Sequence, residues 1–77
     1  MMDKIIEILT EVRPDVDFES ETELFDQGIL DSFDIVSIIS ELNDAFEINI
    51  RVHDLIPENF NSVKAIHELV KVKMSKS

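Results

Sequence analysis

The sequence predicts an all-α fold: a four-helix bundle with a long first connection, three longer helices and a short third helix. Three observations predict it. Apolar residues recur at helical spacing over three stretches, the single glycine and the two prolines stand at the edges of those stretches, and the one strand-like segment has no partner strand. Seventy-seven residues read as one domain, 1–77, near the lower limit at which a chain supports a core without staples.

The first helix is expected from about Asp3 to Val12. Met2, Ile5, Ile6, Leu9 and Val12 share one side, and Asp3, Glu7, Thr10 and Glu11 the other. Arg13-Pro14 ends it, because proline disfavours helical geometry in the residue before it.

Residues Pro14 to Leu30 carry too little periodicity for a full helix, yet Val16, Phe18, Leu24, Phe25, Ile29 and Leu30 supply anchors that tuck against a bundle. Ser20-Glu21-Thr22-Glu23 fits the capping-box pattern, and Gly28 is a suitable terminator. One or two helical turns are expected between Thr22 and Gln27. So long a loop in so small a domain has a job or a structure of its own.

From Ser32 to Phe46 there is no Gly and no Pro. Ile35, Ile38, Ile39, Leu42, Ala45 and Phe46 fall within an arc of roughly 120°, the width of a buried stripe. Asp31 is placed to cap this helix, with Asp34 at the position of a capping-box acid. Ser32 then lies in the first turn, near unpaired N–H groups and the positive end of the helix dipole, where phosphate is favoured. Phe33 and Val36 project away from the stripe, beside Ser37, Ser40, Asp44 and Glu47. Apolar groups on an otherwise acidic face mark a surface that another protein covers.

Glu47 to Val52 alternates like a strand, but without a partner it reads as an extended link with Ile48 and Ile50 turned inward. His53 to Phe60 should contain the short third helix, with Pro57 in its first turn. Asn61 or Ser62 then caps a last helix with Val63, Ile66, Val70 and Met74 on one face and Ala65, Leu69 and Val72 on a second. Lys71, Lys73 and Lys76 complement its dipole, and the tail Ser75-Lys76-Ser77 is expected to fray.

Composition narrows the function. The absence of cysteine excludes disulfides and thiolate metal sites, so the core is aliphatic, and a 44% hydrophobic content is ample for it. No apolar run reaches the roughly 18 residues of a membrane span, and no leader pattern precedes the first helix; a cytoplasmic location is the expectation. The net charge of −10 is concentrated: between Arg13 and Arg51 there is no Lys or Arg, whereas Asp and Glu occur eleven times. Such a field repels nucleic acid and anionic lipid, and steers the molecule towards basic patches on proteins. Acidity that merely keeps a small domain soluble is the plainer alternative.

His53 and His67 lack the partners of a metal site, and no triad or calcium-loop pattern is present. By propensity alone Ser32 is a polar residue in a first helical turn and Asp31 its cap. Asp34, Glu41, Asp44 and Glu47 read either as a solvated face or as partners for Arg and Lys on other proteins.

Asp31-Ser32-Phe33 resembles the attachment region of the acyl carrier proteins and of the peptidyl and D-alanyl carriers, in which Asp-Ser-apolar opens the second helix. The similarity extends through Leu24-Phe25-Asp26-Gln27-Gly28-Ile29-Leu30 before it and through Ile38 to Ile48 after it. Phe33 replaces the usual Leu of the fatty-acid carriers, and Gly-Ile-Leu-Asp-Ser is closer to the aminoacyl and D-alanyl form. The resemblance implies that Ser32 bears 4′-phosphopantetheine, transferred from coenzyme A by a separate phosphopantetheinyl transferase, and that the arm's thiol carries cargo as a thioester. It implies a freestanding, monomeric acyl carrier with no catalysis of its own, the cargo being acyl, aminoacyl or D-alanyl. Asp31, Phe33, Asp34, Val36, Glu41, Asp44 and Glu47 would dock loading and transferring enzymes with basic patches. A gap between the second and third helices, lined by Ile35, Ile39 and Leu55 or Ile56, is a candidate shelter for a short acyl chain. From another class, an acidic helical interaction module without a prosthetic group remains the alternative.

Overall fold

α1 (Met2–Val12) forms on an uninterrupted apolar stripe, and its last turn is extended when the Arg13 N–H donates to the Leu9 carbonyl at 2.9 Å. The structure, a computed structural model, describes residues 2–20 and 22–76. α2 (Ser32–Phe46) follows a long irregular connection; a short 3-10 turn (Val52–Asp54), α3 (Pro57–Phe60) and α4 (Val63–Lys76) complete the bundle. Among the described residues there is no strand, and the predicted all-α architecture is the one observed.

α1 packs against both α2 and α4, while α3 lies on α4. That double contact explains a residue missing from the expected stripe. Ile8 is buried together with Ile5 and Leu9, because a helix wedged between two neighbours needs a wider apolar arc than one lying on a single partner. The core is completed by Phe18, Leu24 and Leu30 from the first connection, Ile35, Ile38 and Leu42 from α2, Ile48 and Ile50 from the link, and Phe60, Val63, Ile66, Leu69 and Val70. Each such side chain contributes about 1.5–3 kcal/mol when fully removed from water. Ala45, read as part of the α2 stripe, is exposed. Val72 and Met74 on α4 are also largely exposed, because the core contacts of this helix end at Val70.

The link behaves as expected, with Ile48 and Ile50 turned inward. Asn43 holds it there: its Oδ1 accepts from the Ile50 N–H at 2.8 Å. α2 itself stops at Glu47, whose left-handed backbone (φ 53°, ψ 47°) lets its N–H return to the Asn43 carbonyl.

Elsewhere the boundaries shift. His53 to Phe60 contains the expected short helix, α3, opened by Pro57, with Leu55 and Ile56 between it and the 3-10 turn. Ser62 rather than Asn61 caps α4, its Oγ accepting from the Ala65 N–H at 3.1 Å. α4 continues through Ser75 and Lys76, where fraying was expected; Ser77 lies outside the described residues. Lys73 spends its charge within the fold, pairing with Asp54 at 2.7 Å. The Ser20 capping pattern spans Glu21, which is outside the described residues; the Ser20 hydroxyl donates to the Asp17 carbonyl instead. One helical turn does form just after it, closed by the Gln27 N–H on the Glu23 carbonyl at 2.9 Å. Gly28 at φ +70° ends that turn.

Candidate functional site

The start of α2 is built by two acids. Asp31 has extended backbone (φ −96°, ψ −177°), and its Oδ1 accepts from the Asp34 N–H at 2.9 Å. The Asp34 carboxylate reaches back to the Asp31 N–H at 3.4 Å, closing the capping box with an Asp where Glu or Gln is more common. Ser32 is thereby fixed as the first helical residue. It is exposed, and its hydroxyl has no hydrogen-bond partner among the described residues. A hydroxyl held in place by its backbone but unengaged at Oγ is available for chemistry.

Next to it lies a shallow apolar depression of about 300 Å³ lined by Ser32, Phe33 and Val36. Phe33 is 85% exposed and Val36 58%, the two most exposed large apolar side chains among the described residues. Glu41, Asp44 and Glu47 continue this face as exposed acids, with Asp31 at its upper end.

Asp34 is placed differently from the other residues read as docking groups. Its side chain is only 17% exposed and meets the Arg13 Nη1 at 2.6 Å. Sequence reasoning saw Arg13 only as the end of α1. Its guanidinium in fact grips three partners: Asp34, the Ile29 carbonyl at 3.0 Å, and both carboxylate oxygens of Asp15 at 3.0 Å. Hydrogen bonds donated to Asp15 first and Asp34 second raise the guanidinium above its ordinary pKa, and the hydrogen bond that Asp15 accepts from Arg13 holds it below the usual carboxylate range. The only sequence signal was the isolation of Arg13 as the sole cation between Lys4 and Arg51.

Asn61 is the second residue whose role went unread. Its Oδ1 accepts from the Phe25 and Asp26 N–H groups at 3.1 and 3.0 Å, its Nδ2 donates to Asp26, and its carbonyl accepts from the Leu24 N–H at 2.8 Å. These bonds pin the turn that leads towards Ser32 onto the start of α4.

The phosphopantetheine attachment site family matches residues 3–70, which is most of the chain and all of the site just described. The chain belongs to this family. It is a carrier protein of the phosphopantetheine-attachment type, and its cofactor is covalently attached 4′-phosphopantetheine. Relatives of this carrier include the D-alanyl carrier protein of Streptococcus uberis, 40% identical over 57 residues that cover 74% of this chain and 72% of the relative. The D-alanyl carrier proteins of Streptococcus sanguinis and Streptococcus thermophilus are each 35% identical over 66 residues, covering 84% of both chains. No solved structure matches significantly.

The start of α2 has the features such a cofactor requires. A covalent arm needs an accessible hydroxyl, room beside it and no competing charge clamp, and the exposed Ser32 next to the open apolar depression provides these. Among the described residues no His, Asp and Glu cluster is arranged to hold a metal ion, and no helix is long and apolar enough to cross a membrane. Of the residues named as a candidate shelter, Ile39 and Leu55 pack partly buried against the core. Ile35 is fully buried and Ile56 faces outward, and the depression lies on the other side, at Phe33.

Proposed function

We infer that this protein is a freestanding, monomeric carrier, acting as one unit over residues 1–77, whose Ser32 is the attachment residue and whose cargo is a small aminoacyl group, D-alanyl in the first instance. The observation that carries the reading is the unengaged, exposed Ser32 hydroxyl at the capped start of α2, in a chain whose family matches across it. Under catalysis by a separate phosphopantetheinyl transferase, Ser32 Oγ loses its proton and attacks the pantetheine-bearing phosphorus of coenzyme A; the phosphodiester forms as the pyrophosphate P–O bond breaks and adenosine 3′,5′-bisphosphate leaves. When bound, the cofactor supplies a thiol on which cargo is held as a thioester; the chain, which has no cysteine, contributes none of its own.

The chain's own part is presentation. Asp31 and Asp34 fix the backbone of Ser32, and Phe33 and Val36 offer a hydrophobic contact beside it to each partner enzyme in turn. Asp31, Glu41, Asp44 and Glu47 steer basic partner surfaces; each exposed charge is worth about 1 kcal/mol or less and acts mainly on encounter rate. Asp34, already paired with Arg13, belongs to the presentation of Ser32 rather than to this rim. Binding of this kind is weak and salt-sensitive, as suits a shuttle that leaves each partner.

The D-alanyl cargo is supported by the relatives' names. The test is a loading competition on the holo protein. A D-alanine-activating enzyme with ATP is set against a malonyl or long-chain acyl transferase, with intact mass as the readout. Selective gain of a D-alanyl group supports the reading; selective loading with a long acyl chain overturns the cargo assignment.

A further inference from the structure

We propose that Arg13 is a positioning residue for modification of Ser32, clamping the segments on both sides of it so that the hydroxyl is presented in one geometry to the transferase. This rests on the reading of Ser32 as the attachment residue.

Arg13 stands at the first position beyond α1, where its N–H still bonds to Leu9, so the guanidinium projects from a rigid helix end. From there Nη1 donates to the Ile29 carbonyl, three residues before Ser32, and to Asp34 Oδ2, two residues after it. Asp34 Oδ2 is the same oxygen that receives the Asp31 N–H. One guanidinium thus ties the approach to Ser32, its capping box and the end of α1 together. Asp15 takes the opposite edge of the fork with both oxygens, which fixes the guanidinium plane.

An ion pair that served stability alone would be indifferent to what it brackets. The molecule contains such a comparison. Lys73 and Asp54 are 2.7 Å apart, with side chains 19% and 16% exposed, and their pair joins α4 to the turn after the link. The Arg13 contact is of similar length and burial but converges on Ile29 and Asp34, the two residues that bracket the reactive hydroxyl.

The test measures transfer from coenzyme A with Mg²⁺ and a broad-specificity phosphopantetheinyl transferase on wild type, Arg13→Ala, Arg13→Lys, Asp34→Asn and Lys73→Ala. All are compared at a temperature where circular dichroism shows each to be folded. The geometry predicts a fall of about tenfold in kcat for Arg13→Ala and a smaller one for Asp34→Asn, with KM nearly unchanged because Phe33 and Val36 are untouched. Arg13→Lys keeps the charge without the fork and recovers only part of the loss. Lys73→Ala stays at the wild-type rate. Amide hydrogen exchange gives a second readout independent of the transferase: the Asp34 N–H exchanges faster in Arg13→Ala and not in Lys73→Ala.

Wild-type kcat and unchanged Asp34 exchange in both Arg13→Ala and Asp34→Asn overturn the proposal, as does an equal loss in Lys73→Ala. If Ser32→Ala is modified as readily as wild type, the attachment assignment itself has failed and the clamp falls with it. A Ser32-dependent reaction that ignores Arg13 refutes the clamp alone.

Discussion

On one face of α2, Ile35, Ile38 and Leu42 are wholly buried; on the other, Phe33 and Val36 stand in solvent beside Ser32. The residue types are alike, so hydrophobicity by itself does not say what a side chain is for. Position on the helix does. The inner face supplies cohesion, and the outer face keeps apolar surface open at a modest cost in solubility, which the surrounding acids offset.

The sharpest way to break this contrast is to truncate one residue from each face. Leu42→Ala should destabilise the fold by about 3 kcal/mol through lost burial and the cavity left behind. Phe33→Ala should change stability by no more than about 0.5 kcal/mol and instead weaken binding to partner enzymes. Denaturant titration and partner affinity, measured on both variants, check the crossing. If Phe33→Ala unfolds the protein as readily as Leu42→Ala, the two faces are not distinct.

A smaller effect tests the approach to Ser32. A Cβ at Gly28 meets nothing within 4 Å, so Gly28→Ala isolates the cost of the left-handed backbone. A loss of about 1–2 kcal/mol is expected in a denaturant titration.

Acid dependence compares the two charge clamps. Lys73 first, and the Arg51 N–H second, hold Asp54 below the usual carboxylate range, and Arg13 does the same for Asp15. A depressed native pKa gives stability that is complete above the unfolded value near about pH 4 and is lost as pH falls through the native value. Asp54→Asn should therefore be less stable than wild type at neutral pH and converge with it in acid, as read from thermal midpoints across pH 2–7.

The smallest effect concerns the far end of α2. Glu47 holds φ 53° without being glycine, so Glu47→Gly should stabilise by about 0.5 kcal/mol while removing one docking acid.

Local signals explain what was legible in the chain. The limits of α2 read correctly because stripe, cap and box acid all lie within a few residues of one another, and Ser32 follows from them. The family resemblance sat on the same residues. What could not be read were the long-range ties: Arg13 to Ile29 and Asp34, 16 and 21 residues away, and Asn61 to Phe25 and Asp26, 36 and 35 residues away. Polar side chains carry no periodicity, so nothing in their spacing announces a partner across the fold. Asp34 shows the consequence. Its position in a helix start revealed the cap, but only the fold reveals that Arg13 claims the same carboxylate.

The most direct test of the central claim is the intact mass of wild type and Ser32→Ala after incubation with coenzyme A, Mg²⁺ and a phosphopantetheinyl transferase. A gain of about 340 Da on wild type alone, the size of one phosphopantetheine moiety, is the predicted result. An equal gain on Ser32→Ala, or no gain on folded wild type beside a working control carrier, would contradict it.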